Sequence, residues 1–145
     1  MIGITNVSAY GAGADMTDAP IAVYMGHGST ANAWITPDNY LRVVYNNDYF
    51  SYADGVFTAL QGCNVVIDPF MNQMYNQNTG SSNTGTCEVR VNGTTVGTWT
   101  RSAPTSTNTF ASVTVSLSAG DTVQYRCHGS TSGYITGGMG IRLAS

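Results

Sequence analysis

The adjacent pair Cys127-His128 joins a nucleophile type to a base type, the combination that thiol-dependent hydrolysis needs. Its spacing defeats that chemistry. Val123, Tyr125 and Cys127 alternate with Gln124, Arg126 and His128, and neighbours on a strand point to opposite faces. The thiol and the imidazole therefore cannot serve one substrate, and nothing in the sequence places His27, the other histidine, near Cys127. Of seven aspartates and one glutamate, Asp15, Asp18, Asp38, Asp54 and Asp121 stand in turn-like surroundings, where a carboxylate capping its own backbone needs no catalytic explanation. The two histidines and the cysteines Cys63, Cys87 and Cys127 lack a short-spaced ligand pair, which argues against zinc. No glycine loop opens a helix, so nucleotide cofactors are excluded as well. The expectation is a protein that is not an enzyme, with no catalytic residue, no metal and no cofactor.

Recognition has better candidates than catalysis. Asn72 to Gly80, continuing to Gly85, is long and polar and carries Tyr75 beside Asn76 and Gln77; Trp34 lies in a second polar stretch. Amphipathic aromatics next to amides suit a glycan ring, and loops on a rigid scaffold are where binding residues gather. Tyr75, Asn76, Gln77 and Trp34 are the candidate surface-binding residues; the plain alternative is a connector with ordinary surface aromatics. Trp99, at the end of a strand, is assigned to the core or a subunit interface.

The elements that must position these residues are strands. Cys87, Val89 and Val91 alternate with Glu88 and Arg90, and Asn92-Gly93 supplies the two positive-φ residues of a two-residue hairpin turn. That pairing sets Val91 opposite Thr94 and Val89 opposite Val96. Val113, Val115 and Leu117 alternate with Thr114 and Ser116, and the turn Ser118 to Asp121 leads into the Val123 strand, which predicts a second hairpin. A last strand begins at Ile135, with Met139, Ile141 and Leu143 on one face and room for a bulge at Gly137-Gly138. Nearer the start, Ile21 to Met25 and Tyr40 to Tyr45 read as strands separated by polar loop, with a turn cluster at Thr36 to Asn39.

Composition agrees with an all-β class. Charged residues are 9% of the chain, lysine is absent and Glu88 is the single glutamate, whereas helical proteins draw heavily on Leu, Glu and Lys. The 145 residues suit one domain spanning 1–145. A net charge of -3, with arginines scattered at 42, 90, 101, 126 and 142, argues against nucleic acid as a partner. No segment reads as a membrane-spanning helix, and the start Met1 to Asn6 has neither the positive nor the apolar part of a signal peptide, so export by the general route is not expected. The low charge and the Ser/Thr/Asn surface nevertheless suit work outside cells. Three cysteines cannot all pair within one chain, and Cys87 and Cys127 on apolar strand faces are expected to be buried, free thiols.

From Tyr49 the chain reads Tyr-Phe-Ser-Tyr-Ala-Asp-Gly-Val-Phe-Thr-Ala-Leu-Gln-Gly, then Cys-Asn-Val-Val-Ile-Asp to Asp68. This resembles the globular head of the complement first-component q-subunit family, related to tumour necrosis factor. There an Asp-Gly turn leads to a Phe-Thr strand and then to a glycine that opens a long core strand. Asp54-Gly55, Phe57-Thr58 and Gly62 take those places. Cys87 to Gly93 is similar to the family's central strand and turn, Val113 to Val123 to its hydrophobic strand, Gly-Asp turn and following strand, and Gly138 to Leu143 to its terminal strand. The likeness covers residues 49–145. One departure stands out: Asn64 and Val66 occupy positions usually held by tyrosine and phenylalanine. Either Val65 and Ile67 face inward instead, or the aromatic contacts come from elsewhere, such as Tyr45, Tyr49 or Trp99.

The resemblance implies a jelly-roll β-sandwich of about ten antiparallel strands that forms a compact homotrimer and binds without catalysing. Phage and bacterial versions sit on fibre tips, spore coats or virion surfaces. The expected function is a non-enzymatic attachment or decoration module, a phage virion or fibre-head protein, located on the virion surface or outside the cell. Its partners would be itself and a host-surface glycan or protein, or other virion components, with no nucleic acid and no membrane insertion. The alternative is a secreted bacterial lectin-like or adhesin domain; a hydrolase in a jelly roll ranks last.

Overall fold

A computed structural model describes residues 20–30, 34–36, 39–76, 84–102, 108–129 and 133–145. Eleven strands and no helix occur among the described residues: β1 (Pro20–Thr30), β2 (Asn39–Tyr45), β3 (Phe50–Ala53), β4 (Val56–Ala59), β5 (Cys63–Asn76), β6 (Thr84–Val91), β7 (Thr94–Ser102), β8 (Asn108–Thr109), β9 (Val113–Leu117), β10 (Thr122–Gly129) and β11 (Gly133–Leu143). They form two antiparallel sheets. The first runs β2-β1-β11-β5-β8, with β9 also on β5; the second runs β3-β4-β10-β6-β7. The architecture is the expected all-β jelly-roll sandwich.

Alternation decides which side chains fill the space between the sheets. Ala22, Tyr24, Val65, Ile67, Met71, Met139 and Ile141 come from the first sheet, and Phe57, Cys87, Val89, Val123, Tyr125 and Cys127 from the second, all buried. Val65 and Ile67 thus face inward, which resolves the register left open by Asn64 and Val66. Tyr45, Tyr49 and Trp99 also pack against this core. Trp99 stacks on Phe110 with ring centroids 6.2 Å apart.

The β6–β7 hairpin forms at Asn92 (φ 52°) and Gly93 (φ 76°) as the turn chemistry demands. Its register departs from expectation after one step. Val91 faces Thr94, but Val89 faces Gly97, because a bulge leaves Val96 as an extra residue on β7. The β9–β10 hairpin does not exist. The Ser118–Asp121 turn is present, with the Asp121 amide donating to the Ser118 carbonyl at 3.0 Å, yet β9 pairs with β5 and β10 with β4 and β6. The turn hands the chain from one sheet to the other. Two apolar strands joined by a tight turn carry the same local pattern in either case, so the partner is settled by long-range packing.

Two expected loops are also revised. Asn72 to Asn76 belongs to β5, paired with β11 as far as Tyr75 opposite Tyr134 and Asn76 opposite Gly133. Gln77 lies outside the described residues, as do Asp15, Asp18 and Asp38. Between β1 and β2, Trp34 to Thr36 crosses to the other sheet, where Ile35 bridges Cys127. The irregularity expected near Gly137 falls between Thr136 and Gly137, with the additional residue on β5. Gly137 is needed there for space: a methyl would collide with the Tyr125 hydroxyl and come within 2.7 Å of the Phe70 carbonyl. The Tyr125 hydroxyl donates to that carbonyl at 3.1 Å, tying the two sheets together.

Candidate functional site

The outer face of the second sheet carries a cluster built around Glu88. Glu88 and Arg126 stand directly opposite each other on β6 and β10, both pointing away from the core between buried neighbours. Arg126 Nε binds Glu88 Oε1, Arg90 Nε lies 3.6 Å from the same oxygen, and the Thr95 hydroxyl donates to Oε2 at 3.0 Å. The Glu88 side chain is only 6% exposed. Two arginines and a hydroxyl compensate the desolvation of its charge. Alternation assigned this glutamate to the solvent side; the long arginine stems and β7 cover it.

Above the ion pairs sits Trp34. Ile35 exchanges both backbone hydrogen bonds with Cys127, each 2.8 Å, and Ile35 packs on the core. Trp34 and Thr36, its chain neighbours, are thereby turned to the outer face. Thr36 accepts a 3.0 Å hydrogen bond from Gln124 Nε2. The Arg126 guanidinium carbon lies 4.8 Å from the Trp34 ring centroid, a cation–π contact. The His128 ring meets the indole edge-on, with centroids 4.4 Å apart and an interplanar angle of 87°. Held from two sides, the indole still leaves 36% of its surface exposed.

Cys127 and His128 point to opposite faces as expected. Cys127 is in the core and His128 beside Trp34. Burial pushes the Cys127 and Cys87 thiols up to about 12, so neither is a ready nucleophile at neutral pH. Among the described residues no group of three His, Cys, Asp or Glu could hold a metal, and no helix is long and apolar enough to cross a membrane. Asp54 (φ 49°) occupies a turn, and the Asp121 carboxylate accepts the Ser118 amide at 2.7 Å. Asp68 pairs with Arg142 at 3.0 Å.

Tyr75 and Asn76 lie on β5 of the first sheet, Trp34 against the second. They share one end of the sandwich. The end of β5 pairs there with the start of β11, and the start of β6 with the end of β10. Sequence reasoning found Trp34 but missed Glu88, Arg90, Arg126 and His128 as its support. The signal lay in a pairing of β6 with β10 that spans nearly forty residues of chain and that the expected β9–β10 hairpin obscured.

No protein family and no curated protein matches this sequence. Solved structures do. Rabbit GITRL aligns over 86% of this chain and 94% of its own at 12% identity, with a TM-score of 0.51. Eiger TNF from S. frugiperda aligns over 88% and 94% at 11% identity, with a TM-score of 0.50. The fold is a tumour-necrosis-factor-like jelly roll. The globular domain of zebrafish complement 1qA protein is also among the structural neighbours, over 88% and 98% at 12% identity and a TM-score of 0.49.

Proposed function

We propose that this chain is a non-enzymatic, homotrimeric binding module of a phage virion or fibre head, recognising a host-surface glycan through Trp34. The observation that carries this reading is the difference between the two outer faces. On the first sheet, Val23, Met25, Val44, Val66 and Phe70 are half-buried apolar side chains that point away from the core, interrupted by Arg42 and by the Asp68–Arg142 ion pair. Such a surface favours burial against further copies of the same chain. The second sheet instead presents Thr86, Thr98, Thr100, Gln124, Arg126 and His128, with Trp34 among them. One face suits assembly and the other suits water and a ligand.

A fixed, partly exposed indole bordered by arginine and threonine is the arrangement that stacks on a sugar ring and hydrogen-bonds its hydroxyls. Tyr75 and Asn76, at the same end of the sandwich, are secondary candidates. Unpaired thiols and the low charge suit a protein made in a reducing cytoplasm and carried outside on a particle. Screening the purified protein on a glycan array, with Trp34→Ala and Tyr75→Ala beside it, tests the reading. Trp34→Ala should keep the far-ultraviolet spectrum and lose at least tenfold in affinity, and Tyr75→Ala should lose less. Glycan binding unchanged in Trp34→Ala would remove this face as the site.

A further inference from the structure

Cys87 and Cys127 stand directly opposite each other on β6 and β10. The hydrogen bonds on the far side of β10 fix the phase of the ladder at this point. The Cys127 amide donates to the Ile35 carbonyl and the Cys127 carbonyl accepts from the Ile35 amide, so neither backbone group of Cys127 is turned to Cys87. The two cysteines are therefore a non-hydrogen-bonded pair, the kind in which opposite Cα atoms approach to about 4.5 Å and side chains come closest. A disulfide spans Cα separations of roughly 4.4 to 6.8 Å. Both side chains are fully buried and enter the same core. Cys63 is in the other sheet, opposite Leu117.

We propose that Cys87 and Cys127 are a dithiol site that a small-molecule disulfide such as oxidised glutathione converts to a cross-strand bond between β6 and β10. One cysteine, as its thiolate, attacks a sulfur of oxidised glutathione; the S–S bond of the reagent breaks and one glutathione leaves. The second cysteine attacks the protein sulfur of the mixed disulfide and displaces the other glutathione. Two electrons pass from the cysteine sulfurs to the reagent, and the two thiol protons end on the two glutathione thiols released. The closed sandwich keeps thiolate and reagent apart, so exchange waits for opening of this strand pair or takes place during folding. The free thiols and the bonded form are thus two states of one protein, set by the redox conditions under which it folds or opens.

The test unfolds and refolds the full chain carrying Cys63→Ser in reduced or in oxidised glutathione, then alkylates the denatured product. Oxidised refolding should yield a monomer chain lighter by two hydrogens, with neither cysteine labelled and the peptides bearing Cys87 and Cys127 joined. Its thermal midpoint should exceed that of the reduced form by roughly 10 °C, since the bond closes a loop of roughly forty residues. If Cys63→Ser fails to fold, the same cross-linked peptides are sought in the unaltered chain. Two free thiols after equilibration, stable glutathione adducts, a bond between chains, or a bond found only in protein without native β-sheet signal would each overturn the proposal.

Discussion

Glu88 is the one glutamate of the chain, and its position beneath Arg126 and Arg90 makes it a support for Trp34 rather than a solvated charge. Glu88→Gln keeps the shape and removes the charge that both guanidiniums face. Losing one member of a mostly buried ion group should lower stability by about 2 to 4 kcal/mol, read from urea unfolding; the arginines, about a quarter exposed, recover part of the loss from water. Glycan affinity should fall with it, because Arg126 would no longer be held under the indole. Asp121 behaves differently. The Ser118 amide first, and the Asn92 side chain second, hold its carboxyl below the ordinary carboxylate value. A folded pKa below the unfolded one contributes stability above the unfolded value and loses it as pH falls through the folded one. Urea midpoints from pH 6 down to about 2 should therefore decline less steeply below about pH 4 in Asp121→Asn than in the parent.

The strand pair joined by a two-residue turn was legible, and the remaining strands were legible at most as strands, without their partners. Asn92-Gly93 specifies its hairpin because the turn and the pairing are one local event. Ser118 to Asp121 specifies a turn equally well, yet β9 and β10 part there into different sheets. The site suffers from the same limit. Trp34 could be singled out by type alone, but Glu88 and Arg126 become a pair only when β6 lies beside β10. Val96 illustrates the smallest such failure, since a single bulge shifts the facing residues of β7 by one. The glycine at 137 marks where the sheets approach through Tyr125. Gly137→Ala should cost about 2 to 4 kcal/mol by displacing that hydroxyl and the Phe70 carbonyl, measured by thermal and urea unfolding. Stability within about 0.5 kcal/mol of the parent would show that the sheets can separate locally without penalty.

At the scale of the molecule, the outer face of the first sheet, largely apolar around the Asp68–Arg142 ion pair, and the polar outer face of the second give the sandwich a direction. Light scattering at micromolar concentration should return three times the 15.3 kDa chain mass. Val23→Arg, placed in the apolar face and away from the core, should yield folded monomer. A parent that remains monomeric at every concentration would refute the assembly. The bulged margin of the second sheet has a separate consequence. β7 is an edge strand, and an edge offers unpaired amides and carbonyls to any passing chain. Charge is the usual deterrent, and on β7 it is limited to Arg101 near one end. Here the extra residue at Val96 breaks the regular run of the edge while Thr94, Thr95, Thr98 and Thr100 keep it wetted. An incoming strand meets a kinked, hydrated template, so sheet-to-sheet growth into fibrils is opposed by backbone shape where electrostatic repulsion is weak.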